Sequence, residues 1–235
     1  MKCKIAYCFL LYDRIVHENI WNDYFGNNSN HNIYTHVKTI NDNTQKLVID
    51  NKIETIDTKW CDMSLVYAYI NLLKKALENK DNKYFVFLSG ECIPLNSYKD
   101  THEKITCNKK STIHFWKRKS GYYKASQWMI LNRKNAKALT KIDKNFIEEY
   151  ENEFNDCPDE YYPINWFIHY YDKKFKNEIE NKVTTYVTWY NENANGPKKL
   201  TYPEMLKYKN DICYSGALFA RKFNKKAARN LYLKC

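Results

Sequence analysis

Lys83-Tyr84-Phe85-Val86-Phe87-Leu88, followed at once by Ser89-Gly90, is the stretch that decides the architecture. After its lysine the run offers no polar face. A strand of this kind is covered on both sides, as in the parallel sheets of α/β proteins. Ser89-Gly90 then opens a loop. Upstream, Asp62 or Ser64 can cap a helix on which Val66, Ile70, Leu73 and Leu77 share a face, ended by Asn79 to Asn82. Lys4 to Leu11 reads as another buried strand. Residues 14–25 place Ile15, Val16, Ile20, Trp21 and Tyr24 at roughly helical spacing. Ile33 to Val37 suits a second strand, and Leu47-Val48-Ile49 a third, short one. Strands alternating with helices predict an α/β fold.

Downstream, Ile113-His114-Phe115-Trp116 and Gln127-Trp128-Met129-Ile130-Leu131 read as strands around a basic loop at 117–124. Residues 133–142 and 145–153 read as helices. Pro163 can occupy the first turn of a helix running to about Tyr171. Val183 to Trp189 is a β-branched strand, followed by a loop from Asn191 to Lys199. Pro203 starts a short helix, and Asn224 to Leu233 forms a last one. With no internal repeat and no linker, residues 1–235 are expected to form a single domain.

The 235 residues carry 38 Lys plus Arg against 27 Asp plus Glu, a formal charge of +11. At 44% hydrophobic content the chain can build a sizeable core, which excludes disorder as its main state. No run approaches the ~20 apolar residues that span a bilayer. Met1 to Leu11 imitates a short signal peptide, but Tyr12-Asp13-Arg14 follows where a small-residue cleavage site belongs, so a buried first strand is preferred. The 8 cysteines include no Cys-x-x-Cys pair, which disfavours a zinc site, and a reduced, cytoplasmic chain is the default expectation. Abundant Tyr, Asn, Lys and Ile fit an AT-rich genome, and with no anchor evident they suggest a microbial or large-virus setting. Charge and 16% aromatic residues also suit a single-strand nucleic-acid binder, although no RNP-type motif or zinc-finger spacing supports specific nucleic-acid recognition.

Missing motifs narrow the chemistry. The 5 glycines form neither a Walker loop nor a Gly-x-Gly-x-x-Gly turn. There is no His-Glu-x-x-His and no Gly-x-Ser-x-Gly elbow. An Asp-x-Asp pair, used by many nucleotide-sugar transferases to hold a divalent metal, is also lacking.

Four segments in order resemble the core-2/I-branching N-acetylglucosaminyltransferase family, which includes peptide-O-xylosyltransferases. They are Trp60 to Leu77, Leu88-Ser89-Gly90-Glu91-Cys92-Ile93-Pro94-Leu95, and Lys124-Ala125-Ser126-Gln127-Trp128 with Cys157-Pro158-Asp159-Glu160-Tyr161-Tyr162-Pro163. The fourth comprises Thr185 to Trp189, Gly196-Pro197 and Leu218 to Phe223. The resemblance implies a GT-A-like Rossmann-type α/β/α sandwich around a mixed, mostly parallel sheet. It also implies a UDP-sugar donor, a glycan or glycoprotein acceptor, inversion at the anomeric carbon, and no metal or other cofactor. The luminal members' anchor and stem, and the acceptor-binding insertions of animal members, are expected to be missing. A degenerate member that binds glycans without turnover is a third reading, against which Glu160 argues.

Inverting transfer needs a base for the acceptor hydroxyl, and a positioned carboxylate supplies about 10²–10⁴-fold. Glu160 matches the family's catalytic Glu; as residues alone, Asp159 and Glu160 read equally well as acids favouring a helix start. The leaving diphosphate needs cations. Lys222 matches the family's phosphate-binding Lys, with Arg221 beside it and Lys198 or Lys199 as the second basic group. A salt bridge for Arg221 and a solvated loop for Lys198-Lys199 are the structural alternatives. Glu91, Trp128, Trp189 and Asp159 are the acceptor-side candidates, with only one of the two tryptophans expected to touch sugar and core packing the alternative for each. Where the family's second strand ends in an Asp near the uridine, Val37 is followed by Lys38, which leaves donor identity open.

Overall fold

The computed structural model describes residues 3–150, 157–189 and 196–232, and for Tyr150 the backbone alone. From the N-terminus run β1 (Lys4–Leu11), α1 (Glu18–Phe25), β2 (His31–Val37), α2 (Lys46–Asp50), α3 (Met63–Glu78), β3 (Asn82–Ser89), β4 (Ile93–Pro94) and α4 (Tyr98–Cys107). There follow β5 (Ser111–Lys117), β6 (Tyr123–Asn132), α5 (Arg133–Leu139), α6 (Lys144–Tyr150), a 3₁₀ turn (Pro158–Glu160) and α7 (Tyr162–Tyr171). Past a second 3₁₀ turn (Asp172–Lys174) come α8 (Phe175–Glu178), β7 (Ile179–Asn181), β8 (Thr185–Val187), α9 (Tyr202–Tyr214), β9 (Phe219–Arg221) and α10 (Lys225–Tyr232).

Six strands form one sheet in the order β2-β1-β3-β6-β5-β7, and β4-β9-β8 form a second of three. β2, β1 and β3 are parallel, β6 runs antiparallel to both β3 and β5, and β7 is parallel to β5. The sheet is therefore mixed with a parallel majority of pairings, as expected.

Alternation along β1 and β3 divides the core between the two faces. Ile5, Tyr7, Phe9, Leu11, Val86 and Leu88 pack with Trp21, Tyr24 and Phe25 of α1 on one side. Ala6, Cys8, Phe85 and Phe87 pack with Val66, Tyr69, Leu72 and Leu73 of α3 on the other. Both strands lack a polar face because both of their faces are covered. A third cluster, including Ile93, Leu95, Ala220, Phe223 and Leu231, underlies the small sheet.

Several elements differ from the sequence reading. Leu47-Val48-Ile49, expected as a strand, lies in α2. Only Val48 of that helix is buried, and the backbone of Ile15 is held by the Gln45 side chain at its start, with two bonds of 2.8 Å. The helix α4 was not anticipated: only Thr101 and Ile105 are buried along it, too sparse an apolar pattern to register, although Ser97 caps it by accepting from Asp100 N–H. The strand expected over Val183–Trp189 is confined to Thr185–Val187, the helix expected over 133–142 ends at Leu139, and β4, α8, β7 and β9 had no counterpart in the sequence reading. Asp62 rather than Ser64 caps α3, Pro163 lies in the first turn of α7, and Pro203 in that of α9, which is 13 residues long. The helix expected over 145–153 is found to Tyr150, and its remainder, like Asn191–Asn195 of the expected loop and the last residue of the final helix, lies outside the described residues.

Candidate active site

The C-terminal ends of β1, β2 and β3 lie together, with Leu11 opposite Val37 and Leu10 opposite Ser89. Open α/β sheets bind ligands at this end. The loops leaving β1 and β3 are clamped there, Val16 N–H donating to the Gly90 carbonyl at 2.8 Å. Gly90 is obligatory at this contact: a Cβ on it would sit 2.2 Å from the Arg14 carbonyl oxygen.

β6 delivers the next residues through a bulge. Ile113 pairs with Met129 and Phe115 with Ala125, so Ser126, Gln127 and Trp128 stand opposite His114 alone. Extra residues bend a strand and re-aim its side chains. Gln127 Nε2 donates to Asp159 Oδ2, and Trp128 receives the Arg221 guanidinium 4.6 Å from its ring centroid.

The Pro158–Glu160 turn carries the two carboxylates. Glu160 Oε2 is 2.9 Å from Lys124 Nζ, both side chains about one-fifth exposed (23% and 20%). Asp159 is 2% exposed, and its carboxyl is pushed up to about 7 by burial first and by the neighbouring Glu160 second. Buried this deeply, Asp159 works on Gln127 and Glu160 and presents no open face to an acceptor. The turn is tied to α3 by a disulfide between Cys61 and Cys157 across 96 residues of sequence, where the cysteine pattern had suggested a reduced chain.

Cations gather at the end of β9 and on the Lys198–Lys199 segment. Lys222, directly after β9, has its ammonium pKa lowered by burial and by Arg221, and raised in part by Glu91. Lys199 Nζ approaches Glu91 Oε1 at 3.6 Å. Glu91 was expected on the acceptor side; the structure places it among these cations, because the loop after β3 runs straight into β4, which pairs with β9. Lys198 ion-pairs at 2.7 Å with Glu204, which forms a capping box with Thr201 at the start of α9. That contact holds Glu204 down to about 2. The structural alternative thus describes Lys198, and the ligand-facing one suits Lys199. Of the tryptophans, Trp128 is 6% exposed and occupied by Arg221, while Trp189 exposes 51% of its surface.

Sequence reasoning passed over four neighbours. Lys124 and Gln127 stood within a quoted motif, where only the bulge reveals their partners. Tyr69 looked like one more core aromatic on α3. Its buried hydroxyl has no hydrogen-bond partner among the described residues, nor do Asp159 Oδ1, Arg221 Nε and Glu91 Oε2. Asp159, Arg221 and Glu160 all act electrostatically on Tyr69, so the carboxylate turn and the end of β9 share one neighbourhood. His17, with a buried unpartnered Nε2, feels Glu91 and Lys199 in the same way.

Glycosyltransferase BC10 of Oryza sativa subsp. japonica is 29% identical over 112 residues, covering 41% of this chain and 28% of that protein. The chain therefore spans little more than a quarter of that relative's length. The galactosyltransferase LgtC, solved with donor and acceptor sugar analogues, superposes with a TM-score of 0.51 at 10% identity, over 97% of this chain and 94% of that one. A glycosyltransferase involved in glycosylation of the major capsid of PBCV-1 gives a TM-score of 0.49 at 11% identity, over 96% and 99% of the two chains. The likeness to LgtC is one of fold, the GT-A sandwich. The Core-2/I-Branching enzyme profile matches residues 5–122. Glu160, Arg221 and Lys222 lie beyond that range and stand on geometry and motif. The match takes in half of the chain, from β1 through the Ser89–Cys92 loop to β5, and the chain belongs to the Core-2/I-Branching enzyme family.

Proposed function

We propose that the chain is a glycosyltransferase that moves a sugar, N-acetylglucosamine foremost, from a UDP-sugar to a hydroxyl of a glycan or glycoprotein, with inversion and without a metal. UDP-xylose is the next donor to consider. The observation that carries this reading is the meeting of the Asp159-Glu160 turn with Arg221 at the end of β9, beside which Lys222 and Lys199 gather around Glu91.

In an inverting displacement the acceptor oxygen attacks the anomeric carbon while the bond from that carbon to the diphosphate oxygen breaks. The hydroxyl proton passes to a Glu160 carboxylate oxygen, and the electron pair of the broken bond leaves with UDP. Lys222 and Arg221 stabilise the charge that grows there, the role otherwise given to a metal held by Asp-x-Asp. Trp128 holds the guanidinium in place, and Trp189 offers an open ring for a sugar face. Glu91 orders Lys199 and Lys222.

Cytoplasmic residence suits a reduced chain, whereas the Cys61–Cys157 bond suits an oxidising compartment. No helix among the described residues is long and apolar enough to cross a membrane.

The test is UDP release from a panel of UDP-sugars in excess EDTA, with the product anomer read by NMR. Release with acceptor present and an inverted product supports the proposal. Release only after manganese is restored overturns metal independence, and no release from any donor overturns the reading.

A further inference from the structure

We propose that the Cys61–Cys157 disulfide is a positioning element for Glu160, so that turnover depends on the redox state of this bond. The inference rests on the reading of Glu160 as the base.

Cys157 immediately precedes the Pro158–Glu160 turn, and its carbonyl accepts Glu160 N–H at 3.0 Å. The residue that closes the turn is thus the one covalently fixed. Its partner, Cys61, directly precedes Asp62, the N-cap of the 16-residue α3. That helix is locked to the sheet by Val66, Ala68, Tyr69, Ile70, Leu72, Leu73 and Ala76. Cys61 itself has φ +54, a left-handed conformation that a residue with a side chain keeps where its surroundings impose it.

Further restraints on the turn come from β6 or follow it in sequence. Gln127 bonds Asp159, Lys124 pairs with Glu160, and Asn165 Nδ2 donates to the Tyr161 carbonyl at 2.8 Å. On the N-terminal side the disulfide is the covalent anchor. Without it the Cys157 carbonyl can drift, and Glu160 moves relative to Lys124 and the acceptor. A displacement of about 1 Å in a reacting group costs about 10²-fold in rate. The donor cations sit at the end of β9 and on the Lys199 segment, which the bond does not tether, and are expected to keep their places.

Neither cysteine is buried, so a reductant can reach the bond. A dithiol of the thioredoxin class attacks one sulfur as thiolate and forms a mixed disulfide. Its second thiolate resolves that bond, leaving as its own disulfide, and two electrons and two protons end on the Cys61 and Cys157 thiols.

The experiment compares the full chain oxidised, reduced with dithiothreitol under thiol titration, and reoxidised with glutathione disulfide. Cys213 is disulfide-bonded as well, so Cys61→Ser/Cys157→Ser, with and without reductant, is the control. The readouts are kcat, the Kd of UDP by calorimetry, and hydrogen exchange at individual amides. Reduction is expected to lower kcat about tenfold or more, reversibly, and to leave the UDP Kd within about twofold. The double variant should show the reduced rate already and respond no further. Exchange at Glu160 and Tyr161 amides should quicken while β1 and β3 stay protected. A fully reduced wild type turning over at the oxidised rate overturns the proposal. Faster exchange throughout β1 and β3 also overturns it, since the bond is then a global staple. If the oxidised protein uses no donor, the glycosyltransferase reading falls, and unchanged exchange at Glu160 and Tyr161 is then what sinks the positioning claim.

Discussion

The Arg221 guanidinium lies 4.6 Å over the ring of Trp128, and Trp128 is 6% exposed. The two form one unit, a cation held on a buried aromatic plate. A bulge on β6 and the end of β9, on different sheets, have to meet to make it.

The tryptophans should therefore behave differently. Trp128→Ala is expected to cost about 3–5 kcal/mol of stability and to weaken UDP binding, because Arg221 loses its platform. Trp189→Ala should leave the melting temperature unchanged and raise the acceptor KM. Denaturant melts with steady-state kinetics on both variants check this, and a stability loss confined to Trp189→Ala would reverse the assignment.

Glu160→Gln keeps size and removes proton acceptance. Turnover should fall roughly 10²-fold or more while UDP-sugar affinity stays near wild type. Near-normal turnover would mean that Glu160 is a helix-start carboxylate only.

Asp159 makes stability depend on pH in the sense opposite to a salt-bridged acid. Its carboxyl ionises near 3.8 in the unfolded chain and at about 7 in the folded one. Between those values the folded protein binds the extra proton, so this group's contribution to stability falls as pH rises. Relative to wild type, Asp159→Asn is expected to be near neutral at pH 4 and stabilising by on the order of 4 kcal/mol at pH 8. Urea titrations at both pH values decide it, and an equal difference at the two would contradict the raised pKa.

Lys198 and Lys199 are adjacent yet do different work. Lys199→Ala should weaken UDP binding several-fold with little change in melting temperature. Lys198→Ala should lower the melting temperature slightly by loosening the start of α9, with UDP affinity intact. Calorimetry on the two variants would expose a reversed order.

Gly90→Ala drives a Cβ into the Arg14 carbonyl, 2.2 Å away. Backbone cannot yield as a flexible side chain does, so a loss of about 1–3 kcal/mol or more is expected, together with weaker donor binding as the loops after β1 and β3 separate. A chemical-denaturation midpoint equal to wild type would show that the clamp can relax.

The α/β class was legible because β1 and β3 carry apolar residues on both faces, a signature that survives without knowing any partner. Helix α3 was legible through its face and its Asp62 cap, and α7 through Pro163. Leu47–Ile49 misled because three apolar residues have no periodicity; the backbone of Ile15, distant in sequence, sets that turn. Helix α4 escaped because it buries only two residues, and sparse burial leaves no pattern to read.

At the site, the sequence by itself determined which chemical groups exist: a Glu after Pro-Asp, an Arg-Lys pair, two tryptophans in motifs, and no Asp-x-Asp. Only the tertiary structure decided how they are used. It paired Glu160 with Lys124, buried Asp159 against Gln127, set Glu91 among the cations, gave Trp128 to Arg221 and left Trp189 open. It also joined Cys61 to Cys157. Periodicity records which face of an element is wet or dry, a local property. Charge pairing, carboxyl burial and disulfide partnership depend on distances between segments 32 to 108 residues apart, here from Gln127–Asp159 to Glu91–Lys199, and those distances exist only once the sheet has assembled.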